Sequence, residues 1–256
     1  MSELGWFAQH DGLVVLVQIA VWLGTLVGAS GVARKAVGEL PRAARWILLL
    51  AGLIAIGLSA FAYPVWERYE AIGHEASYAE CFGGTASPGS AQGWEPYVTY
   101  PLVRWIDWAI GGVVGRDHLS ALLAFNMLVR GVTVVLFGLL AHALLRRPEA
   151  AQYAALLLAC FPTHAFWAAT IYNVVLPLGF VVLCMWLTVL ALRSGSARTL
   201  AAAAASGGLV VASRVEWGLL APSLLVLILC GTGDPSDRHH ATRTLRFWAP
   251  ALLLAA

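Results

Sequence analysis

Seven apolar runs, most of them separated by short connections, set the reading of this chain. They cover about 13–33, 44–63, 119–145, 151–170, 172–192, 199–213 and 216–231, and an eighth begins near Phe247. Water is absent from the bilayer core, so a spanning segment must satisfy its backbone groups internally. As a helix it does so over about 20 apolar residues. The pattern predicts an all-α, polytopic transmembrane helical bundle of about seven or eight spans. The run at 199–213 is short and rich in Ala and Gly, which suits a helix packed among others. Pro162 and Pro177 read as isolated kinks within their spans.

One long polar interruption, residues 64–118, breaks the alternation. It holds many of the acidic side chains, several aromatics and the run Gly73-His74-Glu75-Ala76-Ser77-Tyr78-Ala79-Glu80. Within it, Leu102, Ile106, Ala109, Ile110 and Val113 recur at helical spacing, while Arg104, Trp105, Asp107 and Trp108 are polar or favour an interface. That predicts a helix over 101–115 lying in the membrane surface. A re-entrant hairpin with 119–145 fits less well, because Arg116, Asp117 and His118 interrupt the apolar run. Residues 83–90, rich in Gly and Ser, read as a flexible connection. No internal repeat or second domain is visible, so 1–256 reads as a single transmembrane domain.

Composition agrees. Of 256 residues, 60% are hydrophobic and 12% charged, with mean hydropathy +0.76. Soluble domains carry about 25% charged residues. The net charge of +2, scattered along the chain, argues against a nucleic-acid partner. Eleven of the sixteen basic residues fall on one side when the spans alternate: Arg34, Lys35, Arg42, Arg45, Arg146, Arg147, Arg193, Arg198, Arg238, Arg243 and Arg246. The positive-inside rule makes that side cytoplasmic and puts loop 64–118 outside. The expected location is an integral membrane protein, bacterial inner (plasma) membrane, with a periplasmic loop. The N-terminus lacks the basic region of a secretory signal. Cys81, Cys160, Cys184 and Cys230 show no metal or CxxC spacing. His74-Glu75 does not open an HExxH zinc motif, since position 78 is Tyr. No resident cofactor is expected. A divalent cation among Glu67, Glu70, Glu75 and Glu80 is conceivable, without support from ligand spacing.

The order of these features resembles the membrane module of GT-C glycosyltransferases. The nearest likeness is to bacterial relatives of protein O-mannosyltransferases and of lipid A aminoarabinose transferases. The segment 73–80 looks like the family's outer loop, which opens with an Asp-Glu pair. Tyr97-Val98-Thr99-Tyr100-Pro101-Leu102 resembles its Pro-Pro-x-Tyr-Pro-Leu lead-in to a juxtamembrane helix. Gly138-Leu139-Leu140-Ala141-His142-Ala143-Leu144-Leu145-Arg146-Arg147 and Phe161-Pro162-Thr163-His164 look like two of its helix exits. Ser213-Arg214-Val215-Glu216 is similar to its Thr-Arg-Pro-Glu turn. The likeness covers about 44–232, leaving span 13–33 as an extra N-terminal helix. Two departures stand out: the family's catalytic aspartate aligns with His74, and a second acidic position falls near Asn173. The chain also stops inside a span, so it is expected to be a fragment, a truncated relative or a member that has lost activity.

The resemblance implies transfer of a sugar from a polyprenyl-phosphate donor. Such transfer needs a base at the acceptor and cations at the departing phosphate. Glu75 is the implied base, with His74 as a substitute near neutral pH. Arg214, Arg130, Arg104 and Arg68 are the lipid-phosphate candidates, although headgroup anchoring also accounts for the last two. Arg130 stands out because it lies inside a span, where a charge is costly and needs a partner or a cavity. Its expected partners are Glu67, Glu70, Glu75 or the substrate phosphate. Tyr78, Glu80, His164 and Tyr100 are expected around the pocket. The implied partners are membrane lipid, the lipid-linked sugar and an additional membrane subunit. Two competing readings remain: a non-catalytic subunit that binds polyprenyl lipid or a partner protein, and a transporter or flippase. The second lacks the paired broken half-helices of transporter repeats.

Overall fold

The computed structural model of the chain describes residues 20, 23–25, 27–67, 106, 110, 118–169, 174–194 and 196–213. Among them, the regular structure is helical, with no strand. Residues 27–39 are helical and turn at Leu40. Six helices follow: α1 (Arg42–Glu67), α2 (His118–Leu145), α3 (Pro148–Ala159), α4 (Pro162–Ala168), α5 (Val175–Ser194) and α6 (Ala197–Ser213). Among the described residues, three stretches are long and apolar enough to cross a membrane: Arg42–Tyr63, Ser120–Leu145 and Val175–Ser194.

Helix α2 is the centre of the bundle. It packs against α1, α3 and α5, and α6 packs on the far side of α5. Small residues set the close approach of α1 and α2. A Cβ on Gly131 would lie 2.8 Å from Ile56 Cδ1 and 3.1 Å from the Gly52 carbonyl. One turn pair further on, a Cβ on Gly138 would lie 2.5 Å from Leu48 Cδ2 and 2.8 Å from the Ala151 carbonyl. As numbers rise along α2 they fall along α1, so the two run antiparallel. Lipid tails are as apolar as leucine, so contact distance rather than water exclusion holds such helices together. On the other side, Gly179 of α5 faces Thr133 and Val129, and Arg193 Nη2 donates to the Leu144 carbonyl at 3.5 Å. Helices α2 and α5 therefore run parallel.

Exposure follows the same geometry. Leu53, Phe61, Leu128, Val132 and Leu157 are exposed on α1, α2 and α3. An apolar side chain left outside the packed core needs a hydrophobic solvent, and lipid supplies it. Helix α5 is enclosed on most of its surface, with Phe180, Leu183, Trp186 and Leu187 buried.

This arrangement gathers Arg42, Arg45, Arg146, Arg147, Arg193 and Arg198 at one end of the bundle. Some of them hold helix ends there. Arg45 donates from Nε to the Leu40 carbonyl at 2.8 Å and from Nη2 to Gly38 at 2.7 Å. The turn between α2 and α3 is made at Arg146, which adopts a left-handed φ of 56° and donates its N–H to the His142 carbonyl at 2.8 Å. Pro148 then opens α3, where a missing N–H costs nothing.

The run 151–170 is not one straight span. Helix α3 stops at Ala159, Cys160 caps it, and a new helix opens at Pro162. Proline lacks the N–H that would bond the Leu158 carbonyl in a continuous helix. That carbonyl instead accepts from Phe161 N at 3.2 Å. Pro177 differs from the kink its position suggests, because it lies in the first turn of α5, where the helix donors have no partner to lose. Of the expected surface helix 101–115, Ile106 and Ile110 are described. Both are helical, and Ile106 is buried against the core. Spans 216–231 and 247 onward lie outside the described residues.

Candidate functional site

The break between α3 and α4 creates a local problem. A helix end leaves carbonyls without donors, and in a low-dielectric interior each unpaired one is costly. Arg130 answers it. About 18 Å along α2 from His118 at 1.5 Å per residue, its side chain is fully buried at 0% exposure. Nη2 donates to the Ala159 carbonyl at 2.6 Å, on the last residue of α3. Nη1 donates to the Ser59 hydroxyl at 2.8 Å and to the Ala55 carbonyl, both on α1. Ser59 Oγ itself donates to Ala55 O at 3.0 Å. One guanidinium thus joins α1, α2 and the broken end of α3.

A buried ammonium could not make this arrangement as well. The guanidinium is a planar fork whose N–H groups point in different directions, so one charge serves acceptors on two helices. The partners are neutral dipoles, and they replace part of the hydration that a buried cation loses. The Nε–H has no bonded acceptor among the described residues.

His164 stands two residues past Pro162, in the first turn of the next helix, and is 5% exposed. Its ring lies beside the Leu158 backbone, at the end of α3. The imidazole lies within electrostatic reach of the Arg130 guanidinium. Asn126, one helical turn before Arg130, is also buried and is engaged in an interaction of its own. Buried polar groups concentrate here around a helix break, whereas α5 carries only Thr188 bonded within its own helix at 2.7 Å to Cys184.

Of the residues singled out by sequence, Arg130 and His164 fall in the described structure, and it brings them near one another. Glu75, His74, Tyr78, Glu80, Arg68, Tyr100, Arg104 and Arg214 lie outside the described residues, as do Glu67's side chain and Glu70. For Arg130 the sequence suggests a glutamate or a lipid phosphate. The acceptors it meets within the described residues are two main-chain carbonyls and Ser59. Main-chain acceptors leave no mark in a sequence; the legible hint is Pro162, which stands where α3 ends and so leaves the Ala159 carbonyl without its helical donor.

A profile of the family described as dolichyl-phosphate-mannose-protein mannosyltransferase matches residues 95–255, more than half of the chain. The chain belongs to that family. It is of GT-C type, as the order of motifs suggests. Membership of the mannosyltransferase family implies glycosyl transfer within a membrane from a lipid-linked sugar. The matched region takes in Tyr100, Arg104, Arg130, His164 and Arg214, and begins after His74 and Glu75. No curated protein and no solved structure gives a significant match.

Proposed function

We propose that this mannosyltransferase-family protein transfers a glycosyl unit from a polyprenyl-phosphate-linked donor to an acceptor at the outer face of the membrane. The family match over residues 95–255 carries the reading. The collection of six arginines at one end of the bundle supports the direction, since basic residues favour the cytoplasmic side. Loop 64–118 then lies at the opposite, outer end. With the spans at 13–33, 216–231 and beyond 247, the proposed bundle has about seven or eight crossings. The membrane is the bacterial plasma membrane, and the loop faces the periplasm.

The chemistry asks for few parts. Glu75, or His74 in its place, takes the proton from the acceptor hydroxyl. The freed oxygen pair attacks the anomeric carbon, and the bond from that carbon to the phosphate oxygen breaks. The polyprenyl phosphate leaves with that electron pair, and the sugar configuration inverts. Arg214, with Arg104 and Arg68 nearer the surface, meets the charge growing on the phosphate. Arg130 is enclosed by helix carbonyls and serves the site through the helices it joins. Tyr78, Glu80, Tyr100 and His164 surround the reacting groups. The donor carries its own activated leaving group, so the step calls for no cofactor.

The decisive assay is transfer by purified protein from a mixed pool of polyprenyl-phosphate sugars, with Glu75→Gln and His74→Ala beside the wild type. Loss of turnover with either substitution identifies the base. Bound lipid without turnover in every form favours the second reading, a non-catalytic subunit that binds polyprenyl lipid or a partner membrane protein. What favours that reading is the resemblance, which aligns His74 with the family's catalytic aspartate at a position ahead of the matched residues 95–255.

A further inference from the structure

We infer that Arg130 is a positioning residue that pins the break between α3 and α4 and so sets where the half-helix carrying His164 stands. The inference rests on the proposed transfer reaction only for its effect on turnover. The pin itself is argued from geometry.

Three observations converge on it. The first is the break. Helix α3 spans about 18 Å and α4 about 10 Å at 1.5 Å per residue, so neither crosses a bilayer alone. Their junction lies at the depth of Arg130, mid-way along α2. Non-helical backbone at that depth persists only where protein satisfies its polar groups. The second is the bonding. Nη2 takes the Ala159 carbonyl, which in a continuous helix would accept from Thr163 N–H, while Nη1 anchors the same guanidinium to Ser59 and Ala55 of α1. The third lies just beyond the break. Helix α4 packs on α1 and α2, and its His164 is buried beside the Leu158 backbone at the end of α3. Moving the junction would move that imidazole, since His164 stands only five positions after Ala159.

Alternatives explain less. A cation needed only to fill space would not have its donors divided between two other helices. A cation meant for a ligand would keep some surface open, and Arg130 has none. The pin also gives the Ser59 hydroxyl, which donates to Ala55 within its own helix, a donor for its free lone pairs.

The test uses the full chain in lipid nanodiscs and reads amide hydrogen exchange helix by helix. The variants are Arg130→Met, Arg130→Lys, Pro162→Ala and the double Arg130→Met with Pro162→Ala. Arg130→Met is expected to speed exchange at 160–169 by about tenfold or more, with α5 unchanged, because loss of the pin opens one local unit. Arg130→Lys keeps the charge, but a single nitrogen cannot serve Ala159 and Ser59 together, so its exchange falls between the two. The double variant is expected to regain protection to within about threefold of wild type. Alanine at 162 restores the N–H for the Leu158 carbonyl and removes the ring that ends the helix, so the helix runs on and Thr163 N–H takes the Ala159 carbonyl, and the pin is no longer needed. Turnover stays low in the double variant, with kcat reduced and KM for the donor little changed, because a continuous helix aims His164 elsewhere. Exchange rising equally in all helices, or failing to rise at 160–169, would overturn the inference. So would a double variant no better protected than Arg130→Met. If Arg130→Met does not fold, Arg130→Lys alone must show acceleration confined to 160–169, and its absence overturns the pin. A wild type without turnover retires the proposed reaction and leaves the exchange pattern to decide on Arg130.

Discussion

Replacing Gly138 by alanine measures how tightly the three-helix junction is built. The added Cβ would lie 2.5 Å from Leu48 Cδ2, 2.8 Å from the Ala151 carbonyl oxygen and 3.2 Å from Ala155 Cβ. Leu48 is a side-chain end and can turn, although it is buried among its neighbours. The Ala151 oxygen is backbone in the first turns of α3, so it moves only if the helix moves. Alanine also brings a gain, because it is the better helix former by about 1 kcal/mol. A control removes that gain from the comparison. Gly57 lies on α1 with nothing within 4 Å of its would-be Cβ, so Gly57→Ala carries the propensity change without the clash. The difference between the two variants isolates the overpacking, expected at about 1–3 kcal/mol. Reversible unfolding in mixed micelles of a mild and a denaturing detergent measures both. Equal stability of Gly138→Ala and Gly57→Ala would refute the close packing of α1, α2 and α3 at this point, and with it the register that brings Arg130 to Ala55 and Ser59.

Other substitutions probe separate parts of the same frame. Arg146→Gly should stabilise the fold by about 0.5–1 kcal/mol in the same unfolding assay, because glycine adopts the left-handed φ of 56° without the Cβ clash. Ser59→Ala should cost about 1.5 kcal/mol, the low end for bonds to a charged donor, since Nη1 keeps the Ala55 carbonyl. Gly179→Ala should cost about 1–2 kcal/mol from contact with Thr133 Oγ1 at 2.9 Å, and Thr133→Ala in the same chain should recover most of it. Glu75→Gln should lower kcat by about a hundredfold or more if Glu75 is the base, and unchanged turnover would pass the role to His74.

Apolar run length is a sound guide to most of the described helices. The runs at 44–63, 119–145, 172–192 and 199–213 correspond to α1, α2, α5 and α6 with ends a few residues apart. Their boundaries are legible because basic residues and glycines close them, as at Arg146-Arg147 and Ser194-Gly195. The run at 151–170 misleads for a physical reason. Hydropathy counts side chains, and the side chains on both sides of the break are equally apolar. What ends α3 is a missing backbone donor at Pro162, a single atom that no hydropathy window sees. Pro177 shows the converse, since the same residue type does no harm when the chain starts its helix two residues earlier.

The charge inside the membrane is legible as a fact and illegible as an arrangement. Arg130 announces itself in any apolar run, and cost alone says it must have partners. Charged partners are the natural first guess from sequence, because Glu67, Glu70 and Glu75 can be read off the page. The bonds found are to Ala55, Ala159 and Ser59, and two of those acceptors are carbonyls that every residue has. The availability of the Ala159 carbonyl depends on where α3 ends, so the charge and the break are two halves of one feature. A continuous helix in place of α3 and α4 would leave the guanidinium only its α1 acceptors, with Nη2 buried and unpaired. A neutral residue at 130 would leave the freed carbonyl of Ala159 in the same position. Each half would be destabilising alone, and the fold holds both because they meet.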